Sequence, residues 1–225
     1  MKIGILQTGH APDELRPAIG DVNNLFERLL DGQGFTFETY PVVDGDFPDG
    51  PDVCDGWLIT GSKHGAYDDL PWIPPLETLI RDVYALGRPL VGVCFGHQII
   101  AQALGGKVEK YKDGWAVGRQ TYDWDGETVS LNAWHQDQVV ERPADATVAA
   151  CNEFCENAAL VYGNRAFTLQ AHPEFESFFI QGLIDARAGT VPPELIETAK
   201  ANLNTGVDNA RLAAQITAFF KEVAA

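Results

Sequence analysis

Residues 89–104 read Pro-Leu-Val-Gly-Val-Cys-Phe-Gly-His-Gln-Ile-Ile-Ala-Gln-Ala-Leu, and this stretch decides the architecture. Pro89 to Val93 is a short continuous apolar run, as in a strand buried on both faces of a sheet. After Cys94 the period changes: Ile99, Ile100, Ala103 and Leu104 share one helical face, and Gly105-Gly106 ends the helix. Cys94 therefore lies at a strand–turn–helix junction, the context of a nucleophile elbow. Gly92 and Gly96, two residues to either side, allow neighbouring backbone to pass close to a strained residue. Such a turn lifts its side chain over the carboxyl edge of a parallel sheet, where open α/β folds bind ligands. A helix N-terminus also favours the anion of a thiol, whose ordinary pKa of about 8.5 leaves little thiolate at neutral pH.

Toward the N-terminus, strands and helices alternate. Ile3 to Gln7 is a buried strand, and Val22, Leu25, Phe26, Leu29 and Leu30 stripe a helix expected over 18–30. Phe35 to Val43 is β-like, Gly56 to Thr60 is a further strand, and Pro74 to Leu86 has prolines at its start and helical periodicity beyond. This alternation implies βαβ crossovers, hence a parallel sheet with helices on both faces. The C-terminal half differs. Asp125-Gly126 and Gly163-Asn164 each sit between β-like segments and signal antiparallel hairpins. From Glu176 the chain reads as helices, the last over 210–223. With no repeat or linker, residues 1–225 are expected to form a single domain.

A cysteine nucleophile needs a base, and His172 has the most telling surroundings among the five histidines. Thr168-Leu169-Gln170-Ala171 delivers it to the end of a strand, which Pro173 terminates. Glu174 follows two residues later, so both side chains project to one side of an extended backbone. A carboxylate there fixes the tautomer of the base and stabilises its protonated form. Cys94, His172 and Glu174 thus make a candidate catalytic triad. The amide of Phe95, first after the nucleophile, is a candidate oxyanion donor, and a second is expected from Gly61 or Ser62 in the loop leaving the strand at Thr60.

The paired segments Gly92-Val93-Cys94-Phe95-Gly96-His97-Gln98 and Gln170-Ala171-His172-Pro173-Glu174 resemble the class I (triad) glutamine amidotransferases, in particular the standalone GMP synthase-like glutaminase and γ-glutamyl peptidase type. The resemblance runs over about residues 1–176. It implies a flavodoxin-like α/β three-layer sandwich whose mostly parallel central sheet carries added antiparallel hairpin strands. It also implies attack by the cysteine on a γ-glutamyl amide, a thioester, and a histidine that protonates the departing amine and then activates water. By the same resemblance Gln98, His135, Gln136 and Asp137 bind the substrate, with Asp137 accepting from its ammonium. Two departures stand out. Gly61-Ser62-Lys63 replaces a Gly-Gly-Pro-like turn, and Gln136 replaces a glycine between His135 and Asp137.

A formal charge of −16, from 16 basic and 32 acidic residues, argues against nucleic acid or an anionic membrane as partner. No stretch approaches the roughly 20 apolar residues that span a bilayer, and the start lacks a secretory apolar region, so a cytoplasmic protein is expected. Cys54, Cys151 and Cys155 show no zinc spacing, and no metal or cofactor is expected. Three functions fit these residues: a free-standing γ-glutamyl hydrolase or peptidase acting by hydrolysis or transfer on a small molecule (glutamine, a glutathione-like peptide or a γ-glutamyl amine), an ammonia-supplying glutaminase subunit for a separate synthetase, and a non-catalytic thiol protein retaining the fold.

Overall fold

The computed structural model describes residues 1–223. β1 (Lys2–Leu6) pairs in parallel with β2 (Thr36–Tyr40) on one side and β3 (Gly56–Ile59) on the other. β4 (Leu90–Val93) lies parallel to β3, and β11 (Ala166–Leu169) parallel to β4. The period-two alternation of these strands splits the core. Leu6, Trp57, Ile59 and Leu90 face α3 (Ile73–Leu86) and α4 (Phe95–Ala103). Ile3, Ile5, Leu58, Val91 and Val93 face α2 (Val22–Leu29) and α7 (Asn209–Val223). The parallel sheet with helices on both faces is as the sequence predicts.

Beyond β11 the sheet turns antiparallel through β10 (Ala159–Tyr162), β9 (Thr147–Cys151), β6 (Ala116–Trp124) and β7 (Glu127–His135), in that order. Both expected hairpins form. Trp124 pairs with Glu127 across Asp125-Gly126, where both turn residues have positive φ (53° and 83°), as a primed turn requires. The antiparallel part is larger than the hairpins alone, because β9 joins them edge to edge. A separate ribbon of β5 (Lys107–Lys110) and β8 (Asp137–Glu141) stands beside the main sheet.

The helix expected over 18–30 is shorter. A single turn, α1 (Arg16–Ile19), ends at Gly20 (φ 76°), and α2 starts afresh after Asp21. The cause is a capping box: the Asp21 carboxylate accepts from the Val22 amide at 2.8 Å, and the Asp21 amide donates to Asn24 Oδ1 at 2.9 Å. Asp21 also takes the Ala11 amide at 2.7 Å, which ties the loop after β1 to this helix. The C-terminal helices are α5 (Ser177–Arg187), α6 (Pro193–Asn202) and α7. Phe175, Phe179, Ile180 and Leu183 bury a third apolar cluster with Ile196, Val117 and Trp134, covering one end of the antiparallel strands.

Candidate active site

Cys94 sits between β4 and α4 with φ 54° and ψ −104°, a conformation that strains a residue bearing a side chain by about 1–2 kcal/mol. Neighbouring backbone holds it there. Its amide donates to the Leu169 carbonyl at 2.9 Å, and the Gly96 amide to the Thr60 carbonyl at 3.1 Å. A methyl on Gly92 would lie 2.5 Å from the Gly96 carbonyl oxygen, and one on Gly96 would run into the Ile59 carbonyl. The glycines flanking the cysteine are therefore required by close packing, as the motif suggested.

His172 lies past the end of β11, its amide bonded to the Asn132 carbonyl of β7 at 2.8 Å. The Asn132 side chain in turn donates to the Phe175 carbonyl at 2.9 Å, and the Phe175 ring stacks on the imidazole with centroids 3.8 Å apart. Nδ1 of His172 meets Glu174 Oε1 at 2.7 Å, both side chains being buried. Burial by itself lowers the pKa of this imidazole, but the charges and hydrogen bonds of Glu174 and Cys94 outweigh it and raise the pKa to about 10. Gly61 borders both Cys94 and His172: a methyl on it would stand 2.9 Å from His172 Cε1 and 3.7 Å from Cys94 Cβ. The fold thus brings the cysteine and histidine, 78 positions apart (172 − 94), to the rim of one narrow space.

Two chambers meet at Cys94. The first contains His172 and Glu174, with Gly61 and Ser62 at its rim. The second contains Gln98, His135, Gln136 and Asp137, together with Tyr67 and Lys110. The amides of Phe95, Gly61 and Ser62 find no acceptor among the described residues, so all three are free to donate. Gln98 uses its amide nitrogen on the Asp137 carbonyl (2.8 Å) and Gln170 (3.1 Å), leaving its oxygen to accept. Burial raises the pKa of the half-buried Asp137 above the ordinary carboxylate value. His135 is fully buried, and burial together with His172 pushes its pKa down to about 3, so it is neutral. The loops at 63–72 and 110–117 supply walls of the second chamber through His64, Tyr67, Lys110 and Trp115.

The remaining histidines have structural partners. His10 is held by Asp21 at 2.6 Å and by Asp44, and His64 lies 3.9 Å from Asp68. His97 is buried against Thr168 at 2.8 Å. All four cysteines are free thiols. No group of three or more His, Cys, Asp or Glu suited to a metal ion occurs among the described residues. The same limits apply to membrane spans, where no helix is long and apolar enough to cross a bilayer. What sequence reasoning missed is the far wall of the first chamber, built by His10, Ala11 and Pro12 and by Phe179, Leu183 and Arg187 of α5. A signal existed: 179, 183 and 187 recur every four residues and so share one helical face.

A strained cysteine at the head of a helix, beside a histidine paired to a buried carboxylate, on a five-stranded parallel sheet extended by antiparallel strands, defines a cysteine amidotransferase or hydrolase. The chain belongs to the class I glutamine amidotransferase family, whose model matches residues 54–178. It is 32% identical to γ-glutamyl peptidase 4 of Arabidopsis thaliana over 202 residues, 82% of this chain and 80% of the relative. A shorter match, 33% identical over 137 residues, reaches the glutamine-hydrolyzing GMP synthase of Azoarcus sp., covering 53% of this chain and 25% of that one. Among solved structures, a glutamine amido transferase from Methylobacillus flagellatus superposes with a TM-score of 0.80 at 23% identity, over 99% of this chain and 94% of that one.

Proposed function

We propose that the protein cleaves the γ-glutamyl amide bond of a small γ-glutamyl compound, by hydrolysis or transfer, through a thioester on Cys94. The observation that carries this reading is the Cys94 elbow beside a His172–Glu174 pair at 2.7 Å. In the proposed sequence the sulfur attacks the carbonyl carbon, and the electron pair displaced onto oxygen is received by the amides of Phe95 and of Gly61 or Ser62. Collapse of this intermediate breaks the C–N bond while His172 passes its proton to the departing nitrogen. The imidazole then takes a proton from water, or from an acceptor amine, as that group attacks the thioester and frees the sulfur. Glu174, on Nδ1, keeps Nε2 turned to the reaction and stabilises the imidazolium. Gln98 and Asp137 hold the α-amino and carboxylate end of the glutamyl group, with His135 and Gln136 shaping the wall behind them.

Likeness to a γ-glutamyl peptidase over most of both chains favours γ-glutamyl peptides as substrates. A second reading, an ammonia-supplying glutaminase with a separate synthetase as partner, draws on the shorter match to GMP synthase. Turnover of glutamine, γ-glutamyl peptides and γ-glutamyl amines by the isolated protein separates the two, with mass spectrometry of quenched reactions to detect the acyl-enzyme. Rapid amine release from peptides accompanied by a γ-glutamyl adduct on Cys94 is expected. Slow glutamine turnover that accelerates only when a synthetase is added favours the second reading. A folded protein that forms no adduct with any of these compounds removes both.

A further inference from the structure

Arg187 is the last residue of α5 and lies outside the segment matched by the family model. It borders both chambers, yet no carboxylate comes within 4.0 Å of it among the described residues. Its partial burial presses its pKa below the ordinary arginine value, and Glu14 offsets this only in part. A guanidinium that is partly desolvated and unpaired, in a chain of charge −16, is an unusual thing to place on the wall of a reactive cavity. Lys63 also borders both chambers but is exposed, so its ammonium is solvated.

Which chamber receives the leaving group follows from the chemistry. The proton for the departing nitrogen comes from His172, which lines the first chamber and not the second. The leaving amine therefore sits in the first chamber, while the glutamyl end occupies the second beside Gln98 and Asp137. Apart from the reactive groups and from Ser62, His10, Lys63 and Arg187, the first chamber is lined by apolar residues such as Phe175, Phe179 and Leu183. His10 is already neutralised by Asp21 and Asp44. Among the described residues lining it, Arg187 is then the one partly buried cation with no carboxylate within 4.0 Å.

We propose that Arg187 is a specificity-determining residue that pairs with a carboxylate on the leaving amine, so that γ-glutamyl amino acids and peptides with an apolar body and a free carboxyl end are selected over glutamine and over neutral γ-glutamyl amines. This inference rests on the γ-glutamyl thioester reading given above. A planar guanidinium suits the purpose because it binds a carboxylate through two parallel hydrogen bonds.

The test compares γ-glutamyl-leucine, γ-glutamyl-leucinamide and glutamine with the wild-type enzyme and the variants Arg187→Gln and Arg187→Lys. Wild type is expected to favour the acid over its amide by roughly 10–100-fold in kcat/KM, the worth of a charge-assisted pair. Arg187→Gln is expected to bring that ratio close to one, chiefly through the KM for the acid, and Arg187→Lys to restore part of it. Melting temperatures confirm that each variant is folded. A ratio unchanged by Arg187→Gln, or a loss of equal size on all three substrates, overturns the proposal, since the arginine would then serve the shared glutamyl group or only the wall. A folded wild-type enzyme inert toward all three compounds overturns instead the amidase reading beneath it.

Discussion

Among the described residues, two that are not glycine adopt positive φ at nearly the same angle, Cys94 at 54° and Asp125 at 53°, and their surroundings have little in common. Asp125 lies in an exposed two-residue turn, next to Gly126, at the tip of the β6–β7 hairpin. Its conformation is a local solution, of a kind that aspartate tolerates because its short side chain can bond nearby backbone. Cys94 is buried, has no such local compensation, and is held by bonds from β11 and from the loop after β3. Strain at the hairpin shapes a turn. Strain at the elbow is maintained by two other chain segments, and it aims a sulfur at a cavity.

Substituting the two positions separates these roles. Cys94→Ala is expected to lower kcat by at least about 10⁴-fold, as loss of a nucleophile does, with the far-ultraviolet circular dichroism unchanged. Cys94→Gly is equally inactive but more stable than Cys94→Ala by about 1 kcal/mol in urea denaturation, because glycine accepts the left-handed backbone without strain. Equal stability of the two would mean that the elbow stores no strain. Asp125→Asn, by contrast, keeps full activity and moves stability by less than about 0.5 kcal/mol.

Glu174→Gln comes next in size, lowering kcat about 10³-fold through loss of orientation and charge on the imidazole. It also carries a pH signature. The pKa of His172 rises from an ordinary value of about 6.5 to about 10 in the folded protein, so the fold binds that proton more tightly than the unfolded chain does. The resulting stability is fully present below about 6.5 and lost as the pH climbs through about 10. The stability advantage of wild type over Glu174→Gln is therefore expected to shrink across that window in urea titrations. Cys151→Ala marks the lower end of the scale. This thiol is free and only partly buried on β9 and lines neither chamber, and its replacement leaves turnover near wild type.

The elbow was legible because its signals are local: an apolar run, two glycines and a change of period all fall within residues 89–104. The His172–Glu174 pair was legible because two-residue spacing on extended backbone leaves few alternatives. The hairpins were marked by Asp125-Gly126 and Gly163-Asn164. Other parts depend on tertiary partners. Lys107–Lys110 is a strand only because β8 pairs with it, since three of its four side chains are exposed and charged. Thr147–Cys151 carries no turn signal and takes its place from Ala150, which pairs with Ala159 and Trp124. The break at Gly20-Asp21 is set by a carboxylate that bonds backbone on both sides of itself, a preference which an apolar stripe running past it conceals. The wall formed by Phe179, Leu183 and Arg187 was hidden for a different reason. A helix face reads alike in sequence whether it packs on a core or lines a cavity.

Gly61 sits on the rim of the first chamber, between Cys94 and His172, and the space beside it is too small for one additional carbon. A Gly61→Ala chain would keep every reactive group of the enzyme and yet wedge the imidazole away from the sulfur. Such a chain amounts to a molecular trap, in which a γ-glutamyl ligand could be retained and identified by its mass while both partners in the proton exchange remain chemically intact.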